Sequence, residues 1–484
     1  MAEQVLPKNL TGKQIYFIGI KGTGMTALAE IFLSRGANIS GSDTEEKFYT
    51  DEILDSLGIP YTEGFSEKSI PENVDFIIHS AAYSIENNVE MAAVSKMDIP
   101  VLEYTEALGQ LSGTMFSCGI AGVHGKTTTT SIAGSLLKYL NLPGTTLVGS
   151  GVAAFGGRSS FAGGDKYFIA ETCEYKRHFL HFHPEIIVLT NIENDHMDYF
   201  KDYNDIESAF ISYINLIPHG GRLIYCSDDK GAAEAAAKIS LIRPDVIQIP
   251  YGESASGSYK VLFSEKKEKQ NLFRLDGFDC EFSLPAPGKH IVLDAAAAIA
   301  LIVSILNEEN LKIDIHKISD GLKSFGGSKR RSELKGEYKG VIFMDDYGHH
   351  PTEITATLKG LREFYPNRRI EADFMSHTYS RTEAFFSGFA SCFTDADIVV
   401  LHKIYSSARE KEAMDKAGGI NGELLFDETK KYHNNVHYFH EIEDSFNFYK
   451  KLLQKNDLFI TIGAGNNWEI GEQLIKYYKK GGEQ

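Results

Sequence analysis

The sequence predicts an α/β protein of three domains, and three observations predict it. The chain has 484 residues, and domains run to about 100–200 residues each. Three segments each open on an apolar strand that runs into a loop dense in glycine, acids or histidines. In the first segment strand, glycine loop, helix and strand follow one another, which is the order of a βαβ unit and hence of a parallel sheet. The boundaries drawn on this basis are residues 1–113, 114–328 and 329–484.

The first segment reads as a strand over 14–20, the loop Lys21-Gly22-Thr23-Gly24-Met25 and a helix over 27–34. A second strand, 37–43, ends on Asp43, and a third, 75–80, ends on Ser80. The second segment opens with a strand over 115–121, and a loop and helix start follow over 122–130. Further strands lie at 167–170, 186–190 and 221–225, then short strands with polar turns over 247–284 and a helical run over 295–306. The third segment carries strands at 341–345, 398–401 and 458–462, with a helix over 352–364. No repeat, low-complexity stretch or long linker interrupts them.

Hydrophobic residues at 43% and charged residues at 24% are ordinary for a soluble globular protein. A net charge of −17 argues against a nucleic-acid partner, because phosphate backbones select basic surfaces. Anionic ligands held locally by loops and helix ends are still allowed. The five cysteines (Cys118, Cys173, Cys226, Cys280 and Cys392) are scattered and form no CxxC pair. That argues for a reducing compartment and against a disulfide framework or zinc site. The N-terminus has no charged start followed by an apolar stretch, and no apolar run approaches the roughly 18 residues of a membrane span. The expectation is a cytoplasmic protein with no membrane partner and an open oligomeric state.

The strongest local signal is Gly122-Val123-His124-Gly125-Lys126-Thr127-Thr128. Backbone N–H groups of a glycine loop at a helix start bind phosphate oxygens, and the helix dipole adds to the attraction. Lys126 reaches the β and γ phosphates in such a loop, and Thr127 or Thr128 offers a hydroxyl to Mg²⁺. The spacing departs from the common P-loop, because Ile120 stands where its first glycine belongs. The earlier loop, Gly19-Ile20-Lys21-Gly22-Thr23-Gly24, has the context of a dinucleotide fingerprint with the spacing changed. Asp43, about 20 residues on, suits a ribose or base contact. A nucleotide diphosphate other than NAD fits this loop.

Acids and bases gather after several strands. Glu174, in Glu171-Thr172-Cys173-Glu174, is the preferred Mg²⁺ ligand, since Mg²⁺ takes hard oxygen donors. His196, in the run Asn191 to Asp198, binds a second metal or positions the γ phosphate. In the third segment Asp346 and Tyr347 suit nucleotide contacts, Tyr347 by stacking, and His349 and His350 suit phosphate or a reacting amine. His377 and Arg381 form a further cluster, with Arg381 a natural fork for an amino-acid carboxylate. Arg331 is read as a substrate contact.

Taken together these motifs resemble the Mur ligases nearly end to end, from Gly19 to Gly465. Residues 19–25 are similar to that family's UDP-binding loop and 122–128 to its ATP loop. Residues 171–179 resemble a variant central motif, and 191–198, 345–353 and 377–381 fill the remaining signature positions. The resemblance implies a Rossmann-like N-terminal domain, a central P-loop-type ATPase domain and a Rossmann-like C-terminal domain that closes over the amino acid. It implies ATP-dependent ligation of L-alanine to UDP-N-acetylmuramate through an acyl phosphate, in peptidoglycan precursor synthesis. Gly22, Thr23, Gly24, Asp43 and Ser80 would then serve the UDP-sugar, with Arg331, His377 and Arg381 as further substrate contacts. Lys126, His196, His349, His350 and Arg381 would be catalytic, and Thr127, Glu174 and His196 would hold metal.

There are departures. His290-Ile291-Val292-Leu293-Asp294 stands where the family usually has His-Asn-x-x-Asn. Met375-Ser376 stands for the usual Gln-Pro, and the loop 82–90 is about one residue longer than usual. Alternative readings are a ligase that attaches a whole tripeptide to the same sugar, an NAD-dependent oxidoreductase, and a non-catalytic nucleotide-binding regulator.

Overall fold

The computed structural model describes residues 5–196, 199–264, 269–405 and 419–481. Its described strands form four sheets, three of them large and mainly parallel. The first has five parallel strands in the order Tyr61–Glu63, Asn38–Asp43, Gln14–Ile18, Phe76–His79, Val101–Glu103. Its central strand is buried from Ile15 to Ile18, because crossover helices cover both faces of a parallel sheet. The helix Thr23–Ser34 starts directly after the first glycine loop and buries Met25, Leu28, Ile31 and Phe32.

The central sheet runs Ile247–Tyr251, Arg222–Cys226, Ile186–Leu189, Phe116–Ala121, Tyr167–Glu171, Gly144–Leu147, Ser160–Ala162. Only the last pairing is antiparallel. Phe116–Ala121 lies between Ile186–Leu189 and Tyr167–Glu171, parallel to both. The loops after these three strands therefore emerge at one edge, the usual place for an α/β site. A small antiparallel sheet of Val261–Phe263, Asn271–Leu275 and Glu281–Leu284 sits beside this unit.

One expectation from the sequence is corrected here. The helix Lys289–Glu308 spans 20 residues with a mean hydropathy of 2.0, long and apolar enough to cross a membrane by those criteria. Lys289, His290 and Asp294 interrupt its first turns, which made the apolar run look shorter on the sequence. Within the fold 83% of its most apolar window is buried. Its alanines 295–298 and Ala300 are fully buried in one core with Ile132, Ala133 and Leu136 of the helix Lys126–Tyr139, so the two helices pack closely.

The third large sheet runs Glu333–Tyr338, Val341–Asp346, Asp457–Ile462, Arg369–Phe374, Ile398–Leu401, Val436–Tyr438. Its first pair is antiparallel and the others are parallel. The strand Arg369–Phe374 was not foreseen, because Arg369, Glu371 and Asp373 alternate with its apolar residues. Both acids are nonetheless fully buried. Asp373 accepts from the ring of His402 at 2.9 Å, from Tyr449 Oη at 2.8 Å and from Asn467 Nδ2 at 2.9 Å.

Candidate active site

The phosphate loop follows the strand Phe116–Ala121 and ends at the helix Lys126–Tyr139. Gly122 and Gly125 have φ of +142° and +80°, which side-chain-bearing residues adopt at a cost. A Cβ on Gly122 would fall 2.0 Å from Thr190 Oγ1, and one on Gly125 would fall 2.7 Å from Asp294 Oδ1. The neighbouring strand's loop braces the turn. Asn191 Oδ1 accepts from the N–H groups of Val123 and His124 at 2.9 Å each, and Thr190 Oγ1 donates to His124 O at 2.5 Å.

Lys126 folds back over this loop. Its Nζ donates to Glu174 Oε2 at 3.0 Å, to Val123 O at 3.1 Å and to Gly122 O. Glu174 is 2% exposed, and His196 Nε2 lies 3.3 Å from its Oε1. Burial opposes the charge on Lys126, yet Glu174 outweighs it and keeps the ammonium above its ordinary range. Burial likewise opposes the Glu174 charge, and Lys126 and His196 together hold the carboxyl below its usual range. The three residues placed on the sequence after three different strands thus meet as one charged cluster. Thr127 Oγ1 accepts from Arg331 Nη2 at 3.3 Å, and Thr128 lines a cavity beside the loop. The last two residues of the His196 run, 197 and 198, lie outside the described residues.

That cavity, about 270 Å³, lies between the central and third sheets. His124, Gly125, Tyr251, Asp294, Arg331 and Asp346 are among its walls. Arg331, expected among the substrate contacts, comes to the phosphate loop instead. Burial pushes the Asp294 carboxyl up to about 7, and Thr129 Oγ1 donates to it at 3.1 Å. The two positions that depart from the family pattern at this helix, Ile291 and Asp294, both line the cavity, with Asp294 against the phosphate loop. Burial lowers His290 to about 4.

From the third domain, Asp346 accepts from the N–H groups of Ser332 at 2.6 Å and Gly348 at 2.7 Å. The guanidinium groups of Arg330 and Arg331 lie 5.1 and 5.5 Å from the Tyr347 ring centroid. Burial brings both His349 and His350 down to about 4, so each is neutral near pH 7. Arg381 Nη2 donates to Asp195 Oδ1 at 3.3 Å, which ties the third domain to the loop that carries His196. Burial opposes the Asp195 charge, but His196 and Arg381 hold its carboxyl well below the usual range. His377 stands beside Tyr405, with ring centroids 5.9 Å apart.

The first-domain loop lies elsewhere. Thr23 and Gly24 line a second cavity, about 220 Å³, together with Tyr104, Glu171, His178 and Phe179. Gly22 caps the helix Thr23–Ser34. Lys21, prominent in the sequence motif, turns inward, with Nζ bonded to Thr44 O and Glu46 O at 3.0 Å and to Glu63 Oε1 at 3.1 Å. Both oxygens of Asp43 are engaged, by Lys21 N at 2.6 Å and Tyr83 Oη at 3.3 Å. Ser80 donates its N–H to Ile18 O at 3.0 Å.

Four residues with no role expected from the sequence also stand here: Thr190, Asn191, Asp195 and, from the third domain, Glu353. Thr190, Asn191 and Asp195 follow the strand Ile186–Leu189, a property shared with many loop residues, and Glu353 is a first-turn acid of the helix Pro351–Phe364.

Comparison with known proteins agrees with this layout. Family models described as the Mur ligase family catalytic domain, the Mur ligase middle domain and the Mur ligase glutamate ligase domain match residues 14–114, 120–302 and 330–465. A Treponema pallidum (strain Nichols) protein named UDP-N-acetylmuramate–L-alanine ligase is 48% identical over 483 residues, covering 99% of this chain and 100% of that one. A protein of the same name from Borreliella burgdorferi is 41% identical over 467 residues, 95% of this chain and 98% of that one. Among solved structures, a UDP-N-acetylmuramate-alanine ligase from Thermotoga maritima has a TM-score of 0.76 at 22% identity, covering 97% and 99% of the two chains. A murein peptide ligase from Psychrobacter arcticus has a TM-score of 0.67 at 21% identity, covering 98% and 99%. By its three domain matches and its full-length relatives, the chain belongs to the Mur ligase family.

Proposed function

We propose that this chain joins L-alanine to the carboxylate of UDP-N-acetylmuramate at the expense of ATP, in the synthesis of peptidoglycan precursors. The observation that carries this reading is the cluster of Lys126, Glu174 and His196 at the mouth of a glycine loop, where a triphosphate's terminal group would lie. The names of full-length relatives support alanine as the amino acid. A carboxylate resists attack by an amine, so one of its oxygens first takes the γ-phosphoryl group and ADP departs. The amine nitrogen then attacks the acyl carbon, inorganic phosphate leaves with that oxygen, and the nitrogen loses a proton.

The residues divide this work. The N–H groups at the helix start, residues 125–128, and the Lys126 ammonium cradle the phosphates, which supplies positioning and charge neutralisation rather than covalent help. Asp346 and Tyr347 serve the nucleotide from the third domain, and Arg381 anchors the alanine carboxylate. Neutral His349, whose Nδ1 faces Tyr347 O at 3.2 Å and leaves Nε2 as the acceptor, can take the proton released by the amine, while His350 holds the start of its helix. Thr127 Oγ1 and the buried Glu174 carboxylate are the hard oxygens that would hold Mg²⁺, with His196 Nε2 3.3 Å from Glu174 Oε1 beside them, and the ion would supply neutralisation of phosphate charge. The Thr23–Gly24 loop and the second cavity suit the UDP-sugar.

The test is phosphate release by the full chain with ATP, Mg²⁺ and UDP-N-acetylmuramate against alanine, serine, glycine and the stem tripeptide. The expected result is release that depends on the sugar and is fastest with alanine. Release driven best by the tripeptide would assign the chain to the recycling reaction, and release independent of any amino acid would overturn the reading.

A further inference from the structure

Glu353 makes more connections across the domain junction than any role given to it so far explains. It lies in the first turn of the helix Pro351–Phe364, in a capping box with His350, so the helix start aims it at the central domain. Its Oε1 faces His124 Nδ1 of the phosphate loop at 3.1 Å. Its Oε2 accepts from the N–H groups of His349 at 2.9 Å and His350 at 3.3 Å. Arg331 Nη1 stands 3.9 Å away. One carboxylate therefore holds the phosphate loop's histidine, the backbone of the two third-domain histidines and the arginine that reaches Thr127.

The other ring nitrogen of His124 is unsatisfied. Its Nε2 is buried with no hydrogen-bond partner, 3.8 Å from Glu193 Oε2, while the backbone N–H of the same residue is fixed by Asn191. Burial opposes a charge on this ring, yet Glu353 outweighs it and holds the imidazole above the usual histidine range. The charged or titratable groups that face His124 are Glu353, Glu193, His350, Lys126 and Asp229. The donor atoms of His124, Glu193 and His350 also lie within 4.8 Å of one another, close enough to suggest a metal. The chemistry of His350 argues against that: its Nδ1 accepts from Thr352 N–H at 3.3 Å, so the neutral ring carries its proton on Nε2 and offers no lone pair there.

We propose that Glu353 is a positioning residue which couples closure of the third domain to nucleotide binding, by orienting His124 in the phosphate loop as a donor toward the nucleotide's phosphates. Glu353 touches no substrate in this scheme and acts through His124. The scheme rests on the reading of the 122–128 loop as an ATP site.

The experiment measures equilibrium binding of a non-hydrolysable ATP analogue with Mg²⁺, and separately of UDP-N-acetylmuramate, to the full chain. The variants are Glu353→Gln, Glu353→Asp, His124→Asn and the double variant Glu353→Gln/His124→Asn, with thermal melts to confirm folding. Glu353→Gln is expected to weaken the ATP analogue by about tenfold, the scale of one charge-assisted hydrogen bond, and to leave the sugar nucleotide within about twofold. Glu353→Asp, which keeps the charge, is expected to recover part of the loss. In the His124→Asn background the further change to Gln is expected to cost less than about twofold, the signature of residues that act as one unit. Equal losses in both backgrounds, or equal weakening of both ligands, would overturn the coupling and leave Glu353 as a structural cap. A wild-type chain that binds no ATP analogue would instead overturn the ATP-site reading itself.

Discussion

At the scale of single residues, few groups are held ready for a triphosphate. The ammonium of Lys126 is satisfied by Glu174 and by the loop's own carbonyls. Phosphate oxygens compete for the same donor, so Lys126→Ala is expected to lower ligation by roughly 10²–10³-fold, the usual loss for a group that stabilises developing charge. UDP-sugar binding, measured by calorimetry, should survive, since the Thr23–Gly24 loop lies at the other cavity. Gly125→Ala is a sharper probe of the loop. Its φ of +80° and the 2.7 Å approach of a Cβ to Asp294 Oδ1 put strain and crowding at one residue. A left-handed alanine alone costs about 1–2 kcal/mol; a loop that relaxes to escape this must be restored to bind phosphate, so the ATP analogue should bind about 5- to 30-fold more weakly, and an unchanged affinity would contradict the loop's role. The glycines, Lys126 and Glu174 were legible in the sequence because a strand–loop–helix context gives such residues one physical use. Glu353 was not, because a glutamate two residues after a proline reads as an ordinary first-turn acid. Its meaning depends on His124, 229 positions away along the chain.

At the scale of elements, strands that read as apolar runs were visible and strands with alternating charge were hidden. Arg369–Phe374 is the clearest case. Arg369 Nε lies 2.8 Å from Glu371 Oε1, and its Nη2 lies 2.7 Å from Asp457 Oδ2. One arginine thus faces two buried carboxyls. Burial and then the Asp457 charge push the Glu371 carboxyl from 4.5 up to about 9. The protonated form is favoured in the fold, so the stability from this group is fully present below about pH 4.5 and is lost as pH rises toward 9. Glu371→Gln keeps the shape of the neutral acid and removes the titration. Melting temperatures of the variant should fall less between pH 5 and 9 than those of the wild type, and parallel curves would contradict this assignment. The helix Lys289–Glu308 teaches the opposite lesson: the apolar run was visible, but Asp294 and His290 hid the true start of the helix, which is where it meets the nucleotide cavity.

At the scale of the whole molecule, function depends on contacts between domains that no local pattern in the sequence encodes. Arg331 reaches Thr127, Glu353 reaches His124, and Arg381 reaches Asp195, so the third domain closes one wall of the phosphate site. On the other side Arg158 Nη1 donates to Glu30 Oε1 at 2.6 Å, joining the central domain to the first. The three-domain α/β architecture was legible because each sheet announces itself by buried strands. The meeting of the domains was not, since side chains that bridge them are few and far apart in sequence. Closure on this pattern excludes water from an acyl phosphate that would otherwise hydrolyse. In the proposed reaction the sugar's carboxylate accepts the γ-phosphoryl group before the amine attacks. Running the reaction with UDP-N-acetylmuramate labelled with ¹⁸O in both carboxylate oxygens and weighing the phosphate released follows that transfer. One ¹⁸O is expected in each phosphate and one in the new amide, formed only when alanine is present. Phosphate free of label, formed at the same rate with or without alanine, would contradict it.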